Sequence, residues 1–142
     1  MKKFLVIGNP IEHSLSPKLH NFWIKENNID AIYERKKTKD YELVDLISEI
    51  KKKKLHGINV TVPFKKTIIP FLDQLSADSE STQSVNTIYL NSDNKIVGHN
   101  TDIEGFEHSI KSLKLNLVNK KALILGAGGV VSSIIFALNK MK

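Results

Sequence analysis

The sequence predicts an α/β fold with a mixed, mostly parallel sheet flanked by helices. Short apolar runs alternate with segments of helical periodicity, which is the βαβ rhythm of a parallel sheet. The turn NSDN then separates two strand-like runs, as in an antiparallel hairpin. The 142 residues suffice for one sizeable core, and 41% hydrophobic with 25% charged residues is ordinary for a folded domain.

The alternating elements occupy the first half of the chain. Strands and helices are predicted in turn at 3–8 (strand), 17–27 (helix), 31–36 (strand), 41–52 (helix), 57–62 (strand) and 65–72 (helix). The hairpin follows, formed by the runs SVNTIYL and KIVGHN. These elements together make a first domain over 1–101.

A second unit is predicted over 102–142. Thr101 and Glu104 have capping-box spacing, which predicts a helix over 102–113. The run LILGAGGVV then predicts a strand at 122–125, a glycine turn and a helix that reaches the end of the chain. A glycine turn between strand and helix is typical of the first β-α unit of a Rossmann-like, dinucleotide-binding domain, although Val131 makes the G-x-G-x-x-G match partial.

Composition argues against several classes of function. The net charge is +6, but only Arg35 among the 21 basic residues is arginine, so nucleic acid is not the expected partner. No stretch approaches the roughly 18 apolar residues of a transmembrane helix, so no membrane association is expected. The absence of cysteine fits a reducing cytoplasm, and the five histidines are too scattered to predict a metal site.

Polar residues follow the third predicted strand, in the segment GINVTVPFKK. Strand alternation places Asn59 and Thr61 on one face, at the carboxyl edge where open α/β sheets bind ligands. Lys65 falls in the first turn of the next helix, where the positive end of the helix dipole disfavours a cation. A solvated surface lysine, such as the neighbouring Lys66, is the ordinary explanation of this pattern, and a proton-transfer role, for which a lowered lysine pKa is useful, is the alternative.

Other segments supply candidates that also have structural explanations. In GNPIEHSLSPKLHN, Ser16 and Pro17 fit the N-cap and first position of a helix, which leaves Ser14 unexplained. In GHNTDIEGF, Asp102 either stabilises a helix start through the dipole or pairs with a lysine. Asn86, in SVNTIYL, is an amide within a segment that has a strand pattern. Its presence there indicates either a functional role or a local bulge, and the pattern does not favour one over the other.

Taken together, these motifs resemble shikimate dehydrogenase. GNPIEHSLSPKLHN, GINVTVPFKK, VNT, GHNTDIEGF and LGAGG occur in that order and spacing along essentially the whole chain. That family reduces 3-dehydroshikimate to shikimate with NADPH. The resemblance therefore implies a cytoplasmic, NADP-dependent oxidoreductase of the shikimate pathway, which leads to aromatic amino acids, with a small-molecule substrate.

The resemblance also implies a role for each candidate. Ser14 and Ser16 would hold the substrate carboxylate, and Lys65 with Asp102 would be the catalytic pair in contact with substrate. The residues expected to bind the ring hydroxyls are Asn59, Thr61 and Asn86. The cofactor would lie on the glycine turn, which consists of Gly126, Ala127, Gly128, Gly129 and Val130.

Two departures from the family's pattern are visible. Gln83 and Ser84 stand where the family usually has glycine and alanine, so the loop leading to Asn86 is expected to differ in shape. The family is also nearly twice as long as this chain. On the resemblance, 1–101 is the substrate-binding domain, 102–142 is a linking helix with an incomplete dinucleotide-binding domain, and little or no dehydrogenase activity is expected of these residues alone.

Two alternatives remain open. Quinate or quinate/shikimate dehydrogenase shares most of the motifs, and a non-catalytic module could keep the polyol-carboxylate site without hydride transfer. The apolar residues Ile134, Ile135 and Leu138 of the last helix are expected to be covered either by the chain folding back or by formation of a homodimer.

Overall fold

A six-stranded mixed sheet is the centre of the residues that this computed structural model describes, which are 1–115 and 117–141. The strands are β1 (Lys2–Gly8), β2 (Ala31–Lys37), β3 (Gly57–Val60), β4 (Gln74–Leu75), β5 (Thr87–Leu90) and β6 (Ile96–His99). Their order is β2-β1-β3-β5-β6-β4. The pairs β1–β2, β1–β3 and β4–β6 are parallel, whereas β5 runs antiparallel to β3 and β6. The predicted mixed, mostly parallel sheet is confirmed.

Six α-helices flank the sheet in the described part of the chain. They are α1 (Ser16–Glu26), α2 (Leu43–Lys51), α3 (Phe64–Thr67), α4 (Ala77–Thr82), α5 (Asp102–Ser112) and α6 (Val131–Lys140). The helix predicted at 65–72 divides into α3 and a 3₁₀ turn at Ile69–Phe71, because Pro70 has no N–H for a continuous helix. Neither β4 nor α4 was predicted.

The main core lies between the sheet and α2. The four buried residues of α2 have helical i, i+3, i+4, i+7 spacing, and they are Leu43, Leu46, Ile47 and Ile50. They pack in one cluster with inward-facing strand residues such as Ile7, Ile58 and Ile88. Each such side chain contributes about 1.5–3 kcal/mol when fully buried, so this layer fixes the strands whose ends carry the polar residues.

The other face of the sheet has a smaller core beneath α1. Val6, Ile11 and Tyr33 are buried there, and Ile24 of α1 packs against them. Asn21 of α1 holds the backbone of Tyr33, since its side-chain oxygen accepts from Tyr33 N and its side-chain nitrogen donates to Tyr33 O. These contacts fix α1, and the loop before it, against the ends of β1 and β2.

The segment 122–125 forms no strand, contrary to the sequence prediction. A strand is stabilised by hydrogen bonds to a neighbouring strand, and none of the described strands pairs with this segment. Leu123 and Leu125 are accordingly exposed. The helix after it does form as α6, which buries Ser133 and Ala137 and ends at Lys140. The predicted last residue of that helix, Lys142, lies outside the described residues.

None of the helices in the described part of the chain is long and apolar enough to cross a membrane.

Candidate functional site

Lys65 and Asp102 form an ion pair at the carboxyl edge of the sheet. Lys65 Nζ lies 2.5 Å from Asp102 Oδ2, and the two side chains are 13% and 24% exposed. Lys65 follows β3 and Asp102 follows β6, strands that run in the same direction. Asp102 is the first residue of α5, where the helix dipole stabilises a carboxylate. The interpretation of Lys65 as a solvated surface lysine is therefore wrong.

The surroundings of Lys65 differ from the sequence prediction in one respect. The helix α3 has only four residues, so Lys65 lies in its first and its last turn at once. A helix this short has little net dipole at either end, and the predicted conflict between Lys65 and the dipole is correspondingly small. The carboxylate of Asp102 is instead the charge that acts on the Lys65 ammonium.

Asn86 connects the ion pair to the sheet. Its Nδ2 donates to Asp102 Oδ1 at 2.8 Å and to Thr101 Oγ1 at 2.9 Å, while its Oδ1 accepts from Thr101 N at 3.0 Å. Asn86 N donates to His99 O, the residue of β6 that also pairs with Thr87, and Asn86 O accepts from Val60 N of β3. Asn86 and Thr87 thus both lie opposite His99, which is the local pattern of a β-bulge, and the Asn86 side chain is held at a fixed place beside Asp102.

The start of α5 is capped differently from the predicted capping box. Thr101 has helical dihedral angles, φ −87° and ψ −7°, and makes no side-chain cap. Its hydroxyl contacts Asn86 instead. Asn100 Oδ1 accepts from Asp102 N at 3.1 Å and takes the capping role. Sequence reasoning missed Asn100, although asparagine is among the residues preferred at helix starts.

Asn59 is held by Tyr33, a residue that sequence reasoning also missed. The Tyr33 hydroxyl donates to Asn59 Oδ1 at 2.6 Å, and Asn59 Nδ2 donates to Asn86 O and Thr87 Oγ1. Burial raises the pKa of Tyr33 to about 12, so its hydroxyl remains a donor at neutral pH. His20 stacks on the Tyr33 ring at 4.2 Å. Both amide hydrogens of Asn59 are thus used within the protein.

A second group of predicted residues lines a pocket of about 280 Å³. Ser14, Ser16 and Thr61 face it, together with His13 and apolar residues of β1 and the following loop. Among the described residues, neither Ser16 Oγ nor Thr61 Oγ1 has a hydrogen-bond partner, so both hydroxyls are available to a ligand. A Cβ added at Gly8 would lie 2.7 Å from Thr61 Cγ2, so the close approach of β1 to Thr61 requires glycine there.

Ser14, which the sequence left unexplained, makes the backbone contact before α1 that was predicted for Ser16. Ser16 is the first residue of α1, and Leu15 precedes it with helical dihedral angles. Ser14 Oγ accepts from Ser16 N at 3.3 Å, so Ser14 caps the chain entering α1 and Ser16 does not. The predicted N-cap role of Ser16 is wrong, which leaves its hydroxyl without a structural explanation.

The glycine turn lies beside Lys65. A Cβ added at Gly129 would be 3.7 Å from Lys65 Cδ, and Ser84 Oγ donates to Gly129 O at 3.4 Å. Gly126 has φ +122°, which favours glycine, and added Cβ atoms at Gly126 and Gly128 would meet nothing within 4 Å. This open backbone leads into α6, a ten-residue helix, and such an arrangement fits a pyrophosphate at a helix start.

Gln83 and Ser84, which depart from the family's pattern, are both integrated into the structure. Gln83 ends α4 in the left-handed conformation with φ 48°, and its Nε2 donates to Glu80 O at 2.7 Å. That conformation costs about 1–2 kcal/mol for a residue other than glycine. Ser84 is buried and contacts the glycine turn through a hydroxyl that alanine lacks.

The structure therefore brings the predicted residues to one edge of the sheet, in two groups. Lys65, Asn86 and Asp102 are in direct contact, with Asn59 bonded to the Asn86 backbone. Ser14 and Ser16 line the neighbouring pocket with Thr61, whose backbone oxygen accepts from the first residue of α3. Such a fold and site define an α/β protein with a polar pocket and a partly buried lysine–carboxylate pair beside a dinucleotide-type turn.

Comparison with known proteins identifies the family. Residues 6–88 match the shikimate dehydrogenase substrate binding domain, and the chain belongs to that family. It is 64% identical over 141 residues to the shikimate dehydrogenase (NADP(+)) of Pelagibacter ubique strain HTCC1062, covering 99% of this chain and 53% of that protein. The chain spans about half the length of the curated relatives it matches.

Solved structures agree with this assignment. The shikimate dehydrogenase of Aquifex aeolicus is 40% identical with a TM-score of 0.91, covering 99% of this chain and 53% of that one. The Thermus thermophilus shikimate 5-dehydrogenase, solved in complex with NADP(H) and shikimate, is 33% identical with a TM-score of 0.88, covering 99% and 52%. The match to the fold thus extends along this whole chain.

Proposed function

We propose that this chain supplies the substrate side and the glycine turn of an NADP-dependent shikimate dehydrogenase, which reduces 3-dehydroshikimate to shikimate in the cytoplasm. The observation that supports this proposal most directly is the ion pair between Lys65 and Asp102, which lies beside the glycine turn. A polar pocket, a proton donor and a dinucleotide turn lie side by side. Support comes from a relative of the same family whose structure contains both shikimate and NADP(H).

Substrate binding is assigned to hydroxyl and amide groups. Ser14 and Ser16 would hold the carboxylate in their pocket, with Thr61 binding a ring hydroxyl from the same side. Asn86 would bind a second hydroxyl next to Asp102 by exchanging one of its present bonds, since its Nδ2 donates to Thr101 Oγ1 and Asp102 Oδ1 and its Oδ1 accepts from Thr101 N. Asn59 has both amide hydrogens committed, so it can offer a hydroxyl only the remaining lone pair of Oδ1.

Proton transfer is assigned to Lys65. NADPH would supply the hydride, held by backbone groups of Gly126, Ala127, Gly128, Gly129 and Val130. Hydride addition to a ketone places negative charge on its oxygen, and Lys65 Nζ would donate a proton to that oxygen. Asp102 Oδ2 holds the ammonium and Asn86 holds the other carboxylate oxygen, so the donor has a defined direction.

The domain division follows from the same assignment. Residues 1–101 would form the substrate-binding domain, and 102–142 would form the linking helix and the start of the dinucleotide-binding domain. Ile135 of α6 is 48% exposed and lies with Leu138 in a pocket of about 370 Å³ formed against Leu117 and Ile124. A homodimer is proposed as the cover for this apolar face, which sedimentation equilibrium of the purified chain would test.

Ligand binding provides the direct test. The ¹H–¹⁵N spectrum of the chain is recorded during titration with shikimate, and the amides of Asn86 and Asp102 are expected to shift saturably. Lys65→Met should weaken binding, whereas Lys66→Met, a neighbouring exposed lysine, should not. Titration with quinate in parallel distinguishes the two substrate classes. Equal affinity for shikimate, quinate and an unrelated carboxylate would contradict the proposed function.

A further inference from the structure

Asn100 connects the ion-pair site to the helix that follows the glycine turn. It is fully buried, and its side chain bonds to three other residues. Asn100 Oδ1 accepts from Asp102 N at 3.1 Å. Asn100 Nδ2 donates to Thr82 Oγ1 at 3.1 Å and to Ser133 Oγ at 2.8 Å. One amide therefore joins the end of α4, the start of α5 and the first turn of α6.

The bonds from Asn100 to Thr82 and Ser133 are made within the protein interior, and the bond to Asp102 N is partly buried. Ser133 is fully buried and Thr82 is nearly so. Thr82 Oγ1 donates its own hydrogen to Asp78 O at 2.7 Å, so it can only accept from Asn100. Among the described residues, both hydrogens of the Asn100 amide group are used and its oxygen holds Asp102. Because every group has one defined partner, the amide orientation is fixed.

The same arrangement reaches the glycine turn from two sides. Ser133 lies in the first turn of α6, four residues after Gly129. Ser84 Oγ donates to Gly129 O, which ties the turn itself to the loop before Asn86. Hydrogen bonds therefore link the start of α6, next to the backbone proposed for the cofactor, to the backbone of Asp102. None of these bonds uses a side chain that is assigned to a ligand.

We propose that Asn100 is a positioning residue for Asp102, with Ser133 holding it in place from the cofactor side. Asn100 fixes the backbone at Asp102, and so sets where the carboxylate meets Lys65 and the substrate. Removing the Ser133 hydroxyl frees one hydrogen of the Asn100 amide and loosens its hold on Asp102. This inference rests on the proposed function, in which Asp102 contacts shikimate.

The test compares Ser133→Ala with Ser132→Ala in the full chain. Ser132 is the neighbouring serine of α6, and its hydroxyl has no hydrogen-bond partner among the described residues, so it is a matched control. The first measurement needs no ligand. Hydrogen exchange at the Asp102 amide should become about fivefold faster in Ser133→Ala, the change expected for one weakened hydrogen bond, and stay unchanged in Ser132→Ala. The Asn100 side-chain NH₂ signals should shift only in Ser133→Ala.

The second measurement is the Kd for shikimate. It should rise about fivefold in Ser133→Ala and remain at the parent value in Ser132→Ala. The double variant Asn100→Ala/Ser133→Ala should be no weaker than Asn100→Ala alone, since both substitutions act through one bond. If the Asn100 variants do not fold, the comparison of Ser133→Ala with Ser132→Ala by itself tests whether Asn100 positions Asp102.

The outcomes separate this inference from the proposed function. If Ser133→Ala changes neither the hydrogen-exchange rate of the Asp102 amide nor the Kd for shikimate, the positioning role is overturned. Parent protein that fails to bind shikimate would overturn the proposed function, while the exchange measurement at Asp102 still decides whether Ser133 supports that residue. Additive losses in the double variant would likewise contradict a shared action through Asn100.

Discussion

Lys65 Nζ and Asp102 Oδ2 lie 2.5 Å apart although 37 positions separate them in the chain. The contact forms because β3 and β6 run in the same direction and each ends at the same edge of the sheet. Asn86 bonds to the other oxygen of the carboxylate at 2.8 Å, so Asp102 is held from both sides. A charged pair that is this far out of solvent and so well bonded is suited to chemistry as much as to stability.

Lys65→Met is expected to lower kcat by about 10² or more and to change KM little. A proton delivered as charge develops on the substrate oxygen accelerates the step by about 10² to 10⁴, and this interaction exists mainly in the transition state. Asp102→Asn should impair both parameters, because Asp102 would orient the ammonium and also bind a hydroxyl. Steady-state NADPH oxidation measures both variants.

That measurement needs a complete cofactor site. A fusion of this chain to the remaining half of the Pelagibacter ubique relative would supply it, and the 142 residues alone should show little or no turnover. Lys66→Met is the matched control in the fusion. A Lys65→Met variant with intact kcat and a raised KM would make Lys65 a substrate clamp, and strong NADPH turnover by the chain alone would contradict the expected division of roles.

The site was predictable from sequence where strand and helix order alone determine a position. Lys65 and Asp102 each lie in the first turn of a helix that follows a strand, so the topology brings them together whatever the details of the loops. The serines were harder, because the capping role depends on the dihedral angles at Leu15, which the surrounding fold sets. Asn100 was obscured by Thr101, whose capping-box spacing gave a simpler explanation of the same helix start.

Strand predictions failed for related reasons. The segment 122–125 has an apolar strand pattern, but a strand forms only with a partner, and a pattern in one segment cannot report whether that partner is present. The two-residue strand β4 is too short to show alternation at all. Its position depends on parallel pairing of Gln74 and Leu75 with β6, which no local pattern in the sequence encodes.

Substitution of two glycines by alanine should have opposite effects on stability. Gly8→Ala places a Cβ 2.7 Å from Thr61 Cγ2 and 3.0 Å from Val62 O, and overpacking of this kind costs about 1–3 kcal/mol. Gly105→Ala meets nothing within 4 Å inside α5, where alanine is better than glycine by about 1 kcal/mol. Urea denaturation gives both free energies of unfolding.

Shikimate binding adds a second comparison between these variants. Gly8→Ala displaces Thr61, which lines the serine pocket, so the Kd should rise. Gly105→Ala should leave the Kd unchanged. Stability and affinity that both survive Gly8→Ala would show that the approach of β1 to Thr61 is looser than the structure indicates.

Acid should remove a stabilising contribution of Glu12. Hydrogen bonds from the N–H groups of Glu12 and Ile11, together with Lys37, lower the pKa of the Glu12 carboxyl to about 2. A folded-state pKa below the ordinary 4.5 means that the contribution is fully present above about pH 4.5 and is lost as the pH falls towards 2. The thermal midpoint of the parent chain minus that of Glu12→Gln should therefore be positive near neutral pH and shrink over that interval. A difference that stays constant from neutral pH down to about pH 2 would contradict this linkage.

Tyr33→Phe is expected to loosen Asn59 and, through it, the backbone of Asn86. The variant removes the donor to Asn59 Oδ1, which then remains partly buried without that bond, at a cost of about 1–3 kcal/mol in the free energy of unfolding. The ring itself stays, so the stacking on His20 is kept and the loss reports the hydroxyl alone. Asn59 Nδ2 keeps its bonds to Asn86 O and Thr87 Oγ1, so only Asn59 Oδ1 loses its partner.

Tyr41→Phe is the control for this change, because Tyr41 is 70% exposed and its hydroxyl has no hydrogen-bond partner in the described part of the chain. Urea denaturation and shikimate titration should show a loss of stability and a several-fold rise in Kd for Tyr33→Phe only. If Tyr33→Phe lowers stability while the Kd stays at the parent value, the Tyr33–Asn59 bond supports the fold and Asn59 does not contribute to the ligand site. The Asn59 side-chain NH₂ signals of the parent chain distinguish the two cases, since addition of shikimate shifts them only where Asn59 contributes to the ligand site.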